Sequence, residues 1–252
     1  MLFDTSLDIK NIICSYFNDL KDAINLYNLN KDHQDNIRIT NLYNIPNKYI
    51  NKLNQQIIEQ NKYINVEKLY ACDNKQIKNV NHMKNTLKIL ICCNYYYNSD
   101  STGIDQNGIS ELNLIKLDAY GNKKIINVNH MKNTLKILRC GGDSGIDQNG
   151  IAELNLIELY AFDNKKIKNV NHMKNTLKIL CCSGNCGIDQ NGISELNLIE
   201  LSADNNEKIK NVNHMKKTLK ILDCCGNCGI DQNGISELNL IELDAKDNEK
   251  IK

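Results

Sequence analysis

A twelve-residue skeleton that returns at a fixed interval constrains this chain more than any other feature. Residues 177–188 read LKILCCSGNCGI, which reduces to Leu177-x-x-Leu180-x-Cys182-x-x-Asn185-x-x-Ile188. The skeleton returns 21 residues later on Leu198, Leu201, Ala203, Asn206 and Ile209, and again on Leu219, Leu222, Cys224, Asn227 and Ile230. Its first position falls on Val66, Leu87, Leu114, Leu135, Leu156, Leu177, Leu198, Leu219 and Leu240, giving nine copies. Every step is 21 residues except that from Leu87 to Leu114, which is 27 and holds an insertion, YYYNSD, at 95–100. Copies alternate between two kinds, so the 42-residue blocks 169–210 and 211–252 are nearly the same. Self-similarity at such a period means a solenoid. One copy cannot bury its apolar side alone, and stacking copies makes a continuous core.

The spacing Leu-x-x-Leu-x-Leu-x-x-Asn/Cys-x-Leu is that of a leucine-rich repeat, whose units run roughly 20–29 residues. The predicted fold is an α/β solenoid: a leucine-rich-repeat horseshoe of about nine units with a short parallel strand each, over residues 66–252. Positions 4 and 6 of a repeat, such as Leu180 and Cys182, share the inward face of that strand, because side chains alternate along it. Position 6 is always small here, Cys (Cys92, Cys140, Cys182, Cys224) or Ala (Ala71, Ala119, Ala161, Ala203, Ala245), which implies a narrow core. Position 9 predicts a ladder of buried asparagines at Asn74, Asn122, Asn164, Asn185, Asn206, Asn227 and Asn248, since a buried amide can donate to and accept from neighbouring backbone. Position 12 is Ile throughout. Such short units leave room only for short helical turns or irregular backbone on the convex side. Nine strands ~4.8 Å apart imply a sheet about 40 Å long.

The charge balance narrows the function. Thirty-one basic residues against thirty acidic ones leave a net charge of +1, without the basic face of a nucleic-acid binder. No apolar run approaches the ~20 residues that span a bilayer, and the N-terminus lacks the basic and apolar regions of a signal peptide. Eleven cysteines without such a signal are expected to be reduced, which places the chain in the cytoplasm or nucleus.

Residues 1–47 do not follow the repeat. Ile9, Ile12, Ile13, Tyr16 and Leu20 recur at helical spacing, and Asn18-Asp19 can cap a second helix carrying Leu20, Ala23, Ile24 and Tyr27. A polar stretch, 30–36, then leads to IRITNLYNIP, which the only proline, Pro46, closes. Two short amphipathic helices cannot bury a core of their own. They must dock on the first repeat or on a partner. In residues 48–65, Ile50, Leu53, Ile57 and Ile58 predict a connecting helix.

The segment LDIKNIICSYFNDLKDAINLYNLNKDHQDNI resembles an F-box, through Leu7-Asp8-Ile9, Ile12-Ile13, Tyr16-Phe17 and Asp19-Leu20. The opening proline of that pattern is missing and its later helix is weak. With the repeats, the chain resembles the F-box/leucine-rich-repeat proteins of giant DNA viruses of amoebae. That resemblance implies that Ile9, Ile12, Ile13, Tyr16, Phe17 and Leu20 bind a Skp-like linker of an SCF-type ubiquitin ligase, and that the repeats hold a target. The alternative is that residues 1–47 only cap the first repeat.

Between copies the frame is nearly constant, and the changes fall at positions 5 and 7, which point outward on the concave strand face. The predicted partner surface is Tyr70, Asp118, Tyr120, Arg139, Tyr160, Phe162, Asp204, Asp223, Asp244 and Lys246: aromatic toward the N-terminal half and charged toward the C-terminal end. Aromatics and Arg are the usual anchors of interfaces. Free drift of exposed positions after duplication also predicts part of this variation. No metal or cofactor is expected. His82, His130, His172 and His214 recur every two repeats, roughly 10 Å apart, too far to share an ion. Cys182 with Cys186, and Cys225 with Cys228, should diverge, because position 10 begins the turn. Asp105, Asp147, Asp189 and Asp231 are better caps of short turns than calcium ligands. No nucleophile-elbow, phosphate-loop or dinucleotide signature is present, so no enzymatic activity is expected.

Overall fold

Each repeat opens with a strand of three residues, because only that stretch alternates inward and outward side chains before the turn. The computed structural model describes residues 41–42, 53–60, 63–95 and 101–252. The chain divides into two compact parts, Met1–Leu117 and Asp118–Lys252. In the first, β1 (Asn41–Leu42), β2 (Lys68–Tyr70) and β3 (Ile89–Ile91) pair in parallel and in chain order, with Leu42 beside Leu69 and Leu69 beside Leu90. β4 (Lys116–Asp118) lies at the division. In the second, β5 (Ile137–Arg139), β6 (Glu158–Tyr160), β7 (Ile179–Cys181), β8 (Glu200–Ser202), β9 (Ile221–Asp223) and β10 (Glu242–Asp244) continue in the same way. Leu138, Leu159, Leu180, Leu201, Leu222 and Leu243 stand side by side, one repeat apart. This is the predicted leucine-rich-repeat solenoid.

The core is the stack of skeleton positions. Leu180, Cys182, Ile188, Leu201, Ala203 and Ile209 are fully buried, as are their counterparts from Val66 to Ile230. The strand ends in a tight turn whose eighth position is left-handed in eight repeats. Gly occupies it at Gly121, Gly142, Gly184 and Gly226, and Asp or Asn at Asp73, Asp163, Asn205 and Asp247 (φ 52 to 59°). Asn and Asp are the side-chain-bearing residues that tolerate this region best.

Five of the seven asparagines that the skeleton predicts for the ladder, Asn74, Asn122, Asn164, Asn206 and Asn248, are buried, and Asn185 and Asn227 are not. In the repeats with Ala at position 6, Asn164, Asn206 and Asn248 are buried, and each Nδ2 donates to two carbonyls of the preceding repeat: Cys140 and Ile146, Cys182 and Ile188, Cys224 and Ile230. In the repeats with Cys at position 6, Asp143, Asn185 and Asn227 are exposed, and Ser144, Cys186 and Cys228 turn inward instead. The residue that shifts the phase is the glycine at position 11. Gly187 N–H donates to Asn164 O at 2.9 Å, and a Cβ there would sit 2.4 Å from Ile167 O. The backbone is drawn against the preceding repeat, and the residue before the glycine is carried inside. In these repeats position 10 is therefore core, not the start of the exposed turn.

The second halves are 3-10 turns, such as Asn171–Met173 and Asn191–Ile193. Asp189 Oδ1 accepts the Gly192 N–H, and Asp105, Asp147 and Asp231 do the same one or more blocks away, as expected of caps. Asn171 Nδ2 donates to Asn191 O, and Gln190 Oε1 accepts the N–H groups of Lys210 and Asn211. The constancy of these Asn and Gln residues thus has a structural cause: each ties one repeat to the next.

Ahead of the first skeleton copy, β1 adds a strand that the period did not predict. Leu42 is fully buried and lies 27 residues before Leu69, the same step as across the insertion. Residues 54–59 hold one short helix, α1 (Gln55–Ile58), with Asn54 Oδ1 accepting the Ile57 N–H and Ile58 buried. Ile9, Ile12, Ile13, Tyr16, Phe17 and Leu20, the F-box-like residues, lie outside the described residues.

Candidate interaction surface on the strand face

Positions 3, 5 and 7 project from the face of the strands opposite the core, and neighbouring repeats bring them side by side. Several predicted surface residues are therefore less exposed than alternation alone implies. Asp118 is only 3% exposed. Arg139, on the next strand, reaches over it with Nη1 3.9 Å from Oδ2, and Asp118 Oδ1 accepts the Tyr120 N–H at 3.1 Å. Asp118 is thus a buried support of Arg139 rather than a contact residue. Ile91, Cys72, Cys93 and Ser183 are buried at equivalent positions. Cys72 and Cys93, at position 7 of successive repeats, form a disulfide with 4.6 Å between their Cα atoms. The expectation that every thiol is reduced fails at this pair.

The aromatic sector of the second part is built on glycines. The Tyr120 ring lies against Gly141 and Gly142, where a Cβ on Gly141 would meet ring atoms at 3.0 Å. Phe162, 39% exposed, lies in the same way against Gly184. Arg139 stands 4.7 Å from the centre of the Tyr160 ring, an arrangement that attracts a cation. Tyr160 OH donates to Glu158 Oε2 at 3.0 Å, and burial followed by this bond raises the tyrosine above its ordinary range. Tyr70 is half-buried in the first part.

Further along, the face becomes hydroxyl- and carboxylate-lined. Ser183 and Ser202 share a hydrogen bond of 2.7 Å, and Ser183 Oγ accepts the Asp204 N–H. Asp204 Oδ1 accepts the Cys225 N–H at 2.7 Å. Cys225 Sγ donates to Asp244 Oδ1 at 3.0 Å, and the same oxygen accepts the Lys246 N–H. One ligand atom each from Asp204, Asp223 and Cys225 fall within 4.8 Å of one another, and Asp223 Oδ1 is buried with no hydrogen-bond partner. Burial, a proton shared with Asp223 and the charge of Asp244 raise Asp204 to about 6. A proton on Asp204 supplies the donor that the orphaned oxygen lacks. Burial and the adjoining carboxylates hold the Cys225 thiol up at about 12.

The sequence reading placed Asp204, Asp223 and Asp244 on this face but did not bring Cys225 to them. The signal was available, since positions 7, 5 and 7 of adjoining repeats are neighbours. As a metal centre the trio is weak. It offers three ligand atoms, one of them a thiol that burial and the carboxylates keep protonated, whereas zinc takes a deprotonated thiol and calcium takes 6–8 oxygens. Cys92, Cys140, Cys182, Cys186, Cys224 and Cys228 are core thiols: burial holds Cys182 up, and Cys186 at about 11. His172 and His214 each bond a carbonyl of the preceding repeat, Ile151 O and Ile193 O, and burial lowers His172.

On the turn side the charges cancel in pairs. Lys132 meets Glu153, Lys174 meets Glu195, and Lys216 meets Glu237, each at 2.5 Å and each about half exposed. No helix among the described residues is long and apolar enough to cross a membrane.

No known family profile matches this sequence, and no curated protein matches it. Among solved structures it is similar to a chain of the crystal structure of the Rad7 and Elc1 complex in yeast. The match covers all of this chain and 86% of that one at 13% identity, with a TM-score of 0.48. A likeness so remote carries no inference about partners.

Proposed function

We propose that this chain is a protein-interaction adaptor, a target protein being held on the strand face while the N-terminal segment recruits a ubiquitin ligase. The observation that carries the first half is the contrast between frame and face. Frame residues are fixed by the hydrogen bonds that join repeats, whereas positions 5 and 7 change from copy to copy. What they change among is rings, Arg139, hydroxyls and carboxylates, the chemistry of selective contact. The second half rests on the F-box resemblance of Leu7-Asp8-Ile9, Ile12-Ile13, Tyr16-Phe17 and Asp19-Leu20. In this reading Ile9, Ile12, Ile13, Tyr16, Phe17 and Leu20 form the apolar side that a Skp-like linker covers.

A purified Skp-type linker protein, titrated calorimetrically into the full chain, tests it. The reading expects saturable binding that Ile13→Asp with Tyr16→Asp abolishes while the unfolding transition is kept. An unchanged isotherm in the variant, or no binding by the wild type, removes the ubiquitin link.

A second reading has an observation of its own. β1 falls inside residues 1–47, with Leu42 fully buried and paired to β2. At least that part of the N-terminal segment serves the solenoid. A leucine-rich-repeat scaffold with no ubiquitin link, its N-terminal residues acting as a cap, is the alternative that the same titration separates.

A further inference from the structure

The strand face of the second part has a charge imbalance that the turn side does not share. From β6 to β10, positions 3, 5 and 7 carry Glu158, Glu200, Asp204, Asp223, Glu242 and Asp244. Only Lys246 opposes them there, with Arg139 at the near end already engaged by Asp118 and Tyr160. Between the acidic rows run Ile137, Ile179 and Ile221, at position 3 of alternate repeats and half-buried. They make an apolar floor. Within this face Asp223 lies beside Asp204 and Cys225, with a ligand atom of each within 4.8 Å of the others. Asp204 and Asp244 each spend one oxygen on donors from their own chain, and an ionised carboxylate offers about four lone-pair sites.

We propose that this face binds a basic, extended, arginine-containing segment of the target, with a guanidinium seated on Asp204, Asp223 and Asp244. The inference rests on the target-binding reading of the strand face and names the chemistry of what is bound. A guanidinium presents five N–H donors in a planar fork and pairs bidentately with carboxylates, whereas an ammonium is a point charge. It offsets the mutual repulsion of the three carboxylates. Its stem, and apolar neighbours in the segment, lie along the isoleucines. A nucleic acid has the wrong sign for this face. A divalent cation is the rival, disfavoured by the sparse oxygen set and by a thiol held protonated.

The test is fluorescence anisotropy of a labelled oligo-arginine peptide, with oligo-lysine and oligo-glutamate peptides beside it, against the full chain. Oligo-arginine should bind more tightly than oligo-lysine, oligo-glutamate should not bind, and the affinity should fall as salt rises. Asp204→Asn with Asp223→Asn should weaken binding by at least ~10-fold, the loss of one charge-assisted hydrogen bond or more. Glu195→Gln and Glu237→Gln, on the turn side, should leave binding within about 2-fold, because their charges are already paired. Calorimetric unfolding of each variant checks that it is folded. Absence of binding, equal loss in the turn-side variants, or stoichiometric calcium or zinc binding that displaces the peptide overturns the proposal. A photo-crosslinker at Ser202 separates the two levels. A captured target without a basic segment sinks this inference and leaves the target-binding reading standing. Capture of the target only from turn-side positions sinks that reading itself.

Discussion

Asn185 and Asn206 occupy the same letter of the skeleton and do opposite things. Asn206 donates to Cys182 O and Ile188 O and accepts from Lys208 N–H, all at 2.8 to 3.1 Å, in a buried setting. Asn206→Ala leaves those groups unpaired and should lower stability by about 3 kcal/mol in urea unfolding. Asn185→Ala, at an exposed position, should change it by less than ~0.5 kcal/mol. Equal costs at the two sites would contradict the alternating phase. Asp204 makes a prediction in pH. Its carboxyl titrates near 3.8 in the unfolded chain and at about 6 when folded, with Asp223, Asp244 and Cys225 facing it. Between these values the folded state holds the extra proton, so this group's contribution makes stability fall as pH rises from about 4 to about 6. Asp204→Asn keeps the oxygen that accepts the Cys225 N–H and should remove that fall. Unfolding midpoints across that pH range, variant against wild type, measure it. A variant whose advantage shrinks as pH rises would refute the assignment.

At the scale of the element, the turns are set by how closely one backbone approaches the next. A Cβ on Gly192 would stand 2.1 Å from Lys168 O, a backbone atom that cannot swing aside. Gly192→Ala should therefore destabilise by at least ~2 kcal/mol. Gly184→Asn meets side chains, the tip of Asp163 and the edge of the Phe162 ring, rather than backbone, and keeps a left-handed position that Asn205 already occupies elsewhere, so it should cost less. A urea series on the two variants ranks them. The strands and the buried positions 1, 4, 6 and 12 were legible in the sequence, because a period of 21 repeats the same inward–outward choice many times. The phase of the turn was not, because it depends on a glycine, Gly187, that the skeleton leaves unspecified. β1 escaped notice because it is two residues long and a 27-residue step from β2. Yet Ile39-x-x-Leu42, with Asn47 and Ile50, carries the frame in its letters. On the face, positions 5 and 7 lie opposite the core, but the burial of Asp118 was not legible. Outward side chains on parallel strands ~4.8 Å apart cover one another, and Arg139 covers this one.

For the whole molecule, stability comes from repeats packed on their neighbours, and the proposed function from the face those repeats present. The lysine–glutamate pairs of the turn side are exposed and should matter little, so Lys174→Ala should cost no more than ~0.5 kcal/mol. Leu201→Ala, in the fully buried stack, should cost about 2–5 kcal/mol. If target recognition resides on the strand face, the target should be reached from there and not from the turns. Photo-crosslinking with a benzophenone side chain placed singly at Tyr160, Ser202 and Asp244, and at Lys174 and Glu195 on the turn side, measures this most directly. The predicted result is one discrete adduct with a common partner from all three strand-face positions and none from the turn-side pair. Adducts with that partner from Lys174 or Glu195 alone would contradict the account.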